Sequence, residues 1–181
     1  MRVRLLLARP EIAAGPDLSV GADHRITCTR SSEGEVSTTM ALSREEKADM
    51  LRRVDLFAAL PEDVLAAAAD HAVQVEFQAG RAIVRQGEVG TGLFVLTAGR
   101  ARVIRDGEQI AELGPGDFFG ELSVIDQEPR IAQVVAEEPV TCLALASWDF
   151  EKILTEAPSA ALTLLRTVTR RLRATGEQHH H

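Results

Sequence analysis

Histidine is scarce in this chain. His24 and His71 stand alone before the closing His179-His180-His181, which reads as a purification tag. A metal-dependent barrel enzyme would need a cluster of such ligands, and the sequence offers no such set. Cysteine is scarcer: Cys28 and Cys142 lie far apart, without metal-ligand spacing or a disulfide framework. Their use fits a reducing cytoplasm. No apolar run approaches the roughly 18 residues that a membrane span needs. Positive charge is also short, with 20 Lys and Arg against 27 Asp and Glu and a net charge of −7. That balance argues against a nucleic-acid binder, whose affinity comes mainly from basic contacts to phosphate. No motif places a Ser-His-Asp or Cys-His arrangement. The chain is expected to bind something rather than to catalyse.

What is present suits one domain with a sizeable core plus some extra chain: 181 residues, 45 % of them hydrophobic. Residues 1–42 stand apart. The Leu5-Leu6-Leu7-Ala8 patch is shorter than the roughly 7–15 residues of a signal-peptide core. Pro10 to Thr39 keeps no sustained period of 2 or 3.6. This segment is expected to be a poorly ordered leader, with Met40 as an alternative translation start and a functional tail as the rival reading. The domain is expected over residues 43–174, followed by a tail and tag over 175–181.

Within the domain, Ser43-Arg44-Glu45-Glu46 is a capping-box-like helix start, and the helix is predicted to run to about Arg53. A connector from Val54 to Leu60 would be held by Leu56, Phe57 and Leu60, before a second helix over Glu62 to His71. From Val73 the pattern changes to short strands. Val73 to Phe77 alternates apolar and polar, and Ala82–Arg85, Gly92–Thr97, Arg100–Arg105 and Gln109–Leu113 follow. Asp106-Gly107 between two of them is a hairpin signal. Gly87 to Gly92 lacks the Gly-Lys-Ser/Thr ending of a phosphate loop and reads as a glycine-rich turn. Ile131–Ala136 and Val140–Leu145 complete roughly eight short, evenly spaced strands, which predict a small barrel or jelly roll. Ser147 is read as the N-cap of a helix to about Thr155. A last helix is predicted over Ser159 to Arg173. There Ala161, Leu165, Val168 and Leu172 have coiled-coil spacing, but over fewer heptads than the roughly three or four that decide the matter. The stripe therefore serves either a homodimer or packing on its own barrel, where it could lid a ligand. Arg166, Arg170, Arg171 and Arg173 complement the helix dipole and read as a solvated face.

The chain is organised around Gly114 to Val135. Gly114-Pro115-Gly116 is a turn signal, and Pro129 ends any helix before it. Between them Gly120 lets the backbone approach something closely, and Glu121 to Asp126 is long enough for a short helix. Free N–H groups from Gly120 through Ser123 would then favour an anion. Arg130 follows within reach, and its planar fork suits phosphate. Glu121 is an acceptor among these donors, suited to a sugar hydroxyl. An anion beside a hydroxyl is what a nucleotide presents.

Phe119-Gly120-Glu121-Leu122-Ser123 followed by Pro129-Arg130-Ile131-Ala132 resembles the phosphate-binding cassette of cyclic-nucleotide-binding domains. That family includes the catabolite activator protein and the regulatory subunits of cyclic-AMP-dependent protein kinase. The resemblance covers about residues 54–173, including Arg85-Gln86-Gly87-Glu88 and Leu93-Phe94-Val95-Leu96. It implies a mainly β fold with flanking helices, an eight-stranded antiparallel jelly-roll barrel. It also implies that Arg130 grips a cyclic phosphate, assisted by the N–H groups of Gly120, Ser123 and Ile131 or Ala132. Glu121 would accept from the ribose 2′-hydroxyl, and Leu122 belongs to the same cassette. Two positions depart from the family: Thr91 stands where Asp is usual, and Ile131 where a small or hydroxylated residue is usual.

The resulting expectation is a cytoplasmic regulatory module without cofactor. It would sense cAMP in preference to cGMP, because Ile131 offers no hydroxyl to guanine, and would signal to an effector protein through its flanking helices. No nucleic acid or membrane is expected as a direct partner. A transcription factor of the catabolite-activator type would need a recognition helix, for which Ala174 to Gln178 leave no room. A fragment of such a factor or of a regulated enzyme stays open. So does a degenerate domain that binds no nucleotide and serves as an interaction scaffold.

Overall fold

A computed structural model describes residues 17–20, 26–29 and 42–177. Strands β1 (Asp17–Val20) and β2 (Ile26–Thr29) pair antiparallel, Asp17 against Thr29 and Val20 against Ile26. This hairpin lies in the segment read as a leader without a period. Strands of four residues are shorter than the roughly 11–18-residue window over which periodicity is detected. The remainder of that segment, and the tag, lie outside the described residues.

Helix α1 (Arg44–Arg52) starts with a full capping box. Ser43 Oγ accepts the Glu46 N–H at 3.2 Å and Glu46 Oε2 accepts the Ser43 N–H at 2.8 Å. The predicted connector is a single helical turn, α2 (Asp55–Ala58), that buries Leu56 and Phe57. In α3 (Glu62–His71) the buried residues are Val64, Leu65, Ala68 and Ala69, one face of the helix at i, i+1, i+4 and i+5.

Eight antiparallel strands follow: β3 (Val73–Phe77), β4 (Ala82–Val84), β5 (Gly92–Ala98), β6 (Ala101–Arg105), β7 (Glu108–Leu113), β8 (Phe118–Phe119), β9 (Gln133–Ala136) and β10 (Val140–Ala146). They form two four-stranded sheets in the orders β3-β10-β5-β8 and β4-β9-β6-β7, the jelly roll expected from the sequence. Between β8 and β9 lies α4 (Glu121–Ile125). After β10 come α5 (Ser147–Glu156) and α6 (Pro158–Glu177). Ser147 is the first residue of α5 rather than its cap. Ala146 holds the N-cap position, with no side-chain cap bond.

Strands β5 and β10 pair with each other and are buried on both faces, which is why they read as continuous apolar runs rather than alternations. Leu93, Val95, Leu143 and Leu145 pack into a core shared with Phe57, Leu65 and Phe150 of the helices. Phe94, Leu96, Cys142 and Ala144 turn the other way, into a second core with Val75, Phe77 and Phe119. Burial pushes the Cys142 thiol up to about 12, so at pH 8 it stays neutral and unreactive. A Cys28→Ser variant is therefore expected to resist alkylation until denaturant is added. Rapid labelling of the native protein would contradict this burial.

Candidate functional site

The loop from β8 to β9 walls a cavity of about 440 Å³. All seven residues expected to bind ligand line it: Gly120, Glu121, Leu122, Ser123, Arg130, Ile131 and Ala132. The remaining wall is mainly apolar, with Val103, Ile110, Leu113 and Val134 from the strands and Val168 and Leu172 from α6. Phe119 also faces it, stacked on Phe94 with ring centroids 5.4 Å apart. Among the described residues, the buried polar or charged side chains are Glu121, Ser123 and Arg130. Buried polar groups cost stability unless they are partnered. All three lie in one loop, on the wall of one cavity.

Gly120 is the N-cap of α4 and has a φ of +90°, a conformation that side chains with a Cβ rarely adopt. The first N–H groups of α4, which have no partner inside the helix, belong to residues that line the cavity. Arg130 is 6 % exposed. Its Nη1 donates to Gly120 O at 2.7 Å and its Nη2 to Gly92 O at 2.6 Å. Burial pulls the guanidinium below its ordinary value, and the charge of Glu121 partly offsets this. An arginine stays protonated nonetheless, so a fixed positive charge is held at the cavity, and among the described residues the rest of its donors are unspent. The backbone of Arg130 is tied as well. Its N–H donates to Glu88 O and its carbonyl accepts from the Gly87 N–H, both at 2.8 Å. These bonds divert Arg130 from strand pairing, so β9 begins at Gln133 rather than at the predicted Ile131.

Glycines make room for this arginine. A Cβ on Gly90 would lie 2.1 Å from Arg130 Nε, and one on Gly120 would lie 2.4 Å from Nη1. Gly90 belongs to the glycine-rich turn, which sequence reasoning set aside as a plain hairpin. Its place beside Arg130 was not foreseen, nor was that of Gly92.

Glu121 is 2 % exposed and already partnered. Arg171 of α6 donates from Nη1 to Glu121 Oε1 at 2.5 Å and from Nη2 to Phe118 O at 2.7 Å. Its guanidinium carbon sits 5.0 Å from the centroid of the Phe118 ring. The expectation of a wholly solvated basic face on α6 is corrected at this position. A carboxylate this deeply buried needs a cation, and Arg171 supplies it. Val168 turns inward to the core and the cavity, while Leu165 stays exposed. The coiled-coil stripe is thus divided, and its cavity-facing part carries Arg171 one turn further on.

Comparison with known proteins agrees with this fold. The profile of the family described as "Cyclic nucleotide-binding domain" matches residues 74–157. The chain belongs to the cyclic-nucleotide-binding domain family. A curated relative, the cGMP-dependent protein kinase of Eimeria tenella, is 33 % identical over 109 residues, which are 60 % of this chain and 11 % of that protein. The cAMP-bound PfPKA-R (141–441) superposes with a TM-score of 0.69 at 26 % identity, covering 75 % of this chain and 47 % of that one. The N-terminal domain of a transcriptional regulator from Streptomyces coelicolor A3(2) superposes with a TM-score of 0.55 at 36 % identity, over 73 % of this chain and 95 % of that one. The chain thus spans about a tenth of its kinase relative, and its family is one of binding modules. Among the described residues no group of three or more His, Cys, Asp or Glu could hold a metal ion, and no helix is long and apolar enough to cross a membrane.

Proposed function

We propose that this domain binds a 3′,5′-cyclic purine nucleotide in the cavity walled by its cassette and reports the bound state through α6. The observation that carries this reading is the confinement of the buried polar side chains, Glu121, Ser123 and Arg130, to that one wall. The cyclic phosphate would lie against the remaining donors of Arg130 and the N–H groups of Gly120, Ser123 and Ile131 or Ala132. Glu121 would accept from the ribose 2′-hydroxyl. A cavity of about 440 Å³ lies within the roughly 300–1,000 Å³ of small-molecule sites. The solved cAMP complex recommends cAMP as ligand and the kinase relative recommends cGMP.

Reporting through α6 follows from its contacts. Arg171 holds the same carboxylate that the ribose would use, so the nucleotide and the helix meet on one group. Leu162, Leu165 and Leu172 remain 48 %, 63 % and 71 % exposed, which favours a second copy or an effector protein along this helix. A cytoplasmic setting completes the proposal.

Calorimetric titration with cAMP and cGMP tests it. Saturable binding of at least one nucleotide, one per chain, is expected. No heat with either, in protein shown to be folded, would overturn the reading and leave an interaction scaffold.

A further inference from the structure

The cavity is lined by three arginines, Arg105, Arg130 and Arg171. Two of them are bonded in place, Arg130 to main-chain carbonyls and Arg171 to Glu121 and Phe118 O. Arg105 differs. Among the described residues its guanidinium makes no hydrogen bond. Its one ion pair is a loose contact of 3.7 Å from Nε to Asp106 Oδ2, which leaves the paired Nη groups of the fork uncommitted. Its side chain is 51 % exposed at the end of β6, two residues after Val103, on the strand face that borders the cavity.

This position is built rather than incidental. Asp106, with a φ of +53°, turns the β6–β7 hairpin directly after Arg105. Gln86 clamps that turn by donating to Asp106 Oδ1 at 2.7 Å and accepting the Asp106 N–H at 2.9 Å. Gln86 adjoins the Gly87 to Gly90 turn that encloses Arg130. Ile104 pairs with Gln133, so Arg105 stands beside the chain as it leaves the cassette at Ala132. The hairpin with Arg105 and the turn that positions Arg130 are thus fastened to each other. The surroundings of Arg105 are apolar, with Val84, Val103, Ile110 and Ala111 lining the same part of the cavity wall.

An uncommitted guanidinium fork offers paired donors and no acceptor. Of the purine edges, guanine and hypoxanthine present two acceptors side by side, O6 and N7, which a fork meets in bidentate fashion. Adenine presents N7 beside an N6 amino group, whose hydrogens oppose the same donors. We propose that Arg105 reads the base of the bound nucleotide and selects 6-oxopurines over adenine. The inference rests on the proposed cyclic-nucleotide site. It sets a residue outside the cassette against the adenine preference that Ile131 alone suggests.

The test is calorimetry with cGMP, cIMP and cAMP on the full chain and on Arg105→Met, which keeps an unbranched apolar stem and removes the donors. The substitution is expected to weaken cGMP and cIMP tenfold or more and to leave cAMP within twofold. Circular dichroism on each protein checks that both are folded. Equal losses for all three nucleotides would mean that Arg105 acts only as a diffuse charge, and would overturn the proposal. So would unchanged affinities, or a loss for cGMP without one for cIMP, since the contact would then not be with O6 and N7. Failure of the parent protein to bind any nucleotide would remove the site itself, an outcome distinct from these.

Discussion

Replacing Arg130 by alanine is expected to weaken cyclic-nucleotide binding by a hundredfold or more. Each charge-assisted hydrogen bond to the phosphate contributes about 1.5–3 kcal/mol, and about 1.4 kcal/mol is a factor of ten in affinity. A bidentate contact therefore accounts for two powers of ten. The same substitution also strikes the fold. It removes the bonds from the guanidinium to Gly120 O and Gly92 O, which tie the start of α4 to the first residue of β5. A buried acceptor left unpaired costs about 1–3 kcal/mol, so the melting temperature should fall by several degrees. Arg130→Lys separates the two roles, because it keeps the charge and loses the planar fork. Its affinity should fall between those of the parent and Arg130→Ala. Calorimetry below the melting transition, beside thermal denaturation, measures both effects. Arg130→Ala protein that is folded and binds with parental affinity would show that the cyclic phosphate sits elsewhere.

Gly90→Ala is expected to cost tenfold or more in affinity without replacing any residue of the cassette. The added methyl carbon would lie 2.1 Å from Arg130 Nε and 2.2 Å from Cζ, well inside contact distance. Either the guanidinium or the turn must give way. The guanidinium is the end of a long side chain, whereas the turn is held by backbone bonds from Gly87 to Arg130 O and from Arg130 to Glu88 O. The side chain should therefore move, leaving Gly92 O and Gly120 O and no longer presenting its donors to a phosphate. Gly87→Ala is the useful contrast. It meets nothing within 4 Å but has a φ of +83°, so it strains the turn without displacing the arginine. Thermal stability should then fall in Gly87→Ala with affinity largely kept, and affinity should fall in Gly90→Ala. Parental binding by Gly90→Ala would mean that the turn had yielded instead.

The parts of this fold that were legible in the sequence are those whose physics is local. The capping box at Ser43 and Glu46 spans three residues, and α3 was delimited by Pro61 before it and the change of period after it. Both-face burial made β5 and β10 plain as apolar runs. The cassette was legible as a whole because Gly120, Glu121, Ser123 and Arg130 fall within one short loop. Ser147 misled because a good capping residue and a good first-turn residue look alike in sequence, and only the backbone of Ala146 decides between them. Contacts at long range were hidden. Arg130 reaches Gly92 across 38 positions and Arg171 reaches Glu121 across 50, and no spacing rule spans such distances. The apolar stripe of α6 offered a partial signal. If Val168 packs inward, the residue three further along the helix lies on nearly the same face, and that residue is Arg171.

The ion pair between Arg171 and Glu121 makes α6 a tethered ligand of its own domain. Arg171 occupies one oxygen of a carboxylate that is 2 % exposed, at an effective concentration set by the chain rather than by solution. On the proposed binding mode a nucleotide arrives at a group already engaged, and its affinity includes whatever the helix must yield or gains in accommodating it. The coupling is reciprocal. A partner that draws α6 away from Glu121 would change nucleotide affinity by the same factor by which the nucleotide changes affinity for the partner. On that binding mode, any signal passing through α6 draws on the ion pair of Arg171 with the buried Glu121 carboxylate and on the contacts of Val168 and Leu172 at the cavity wall.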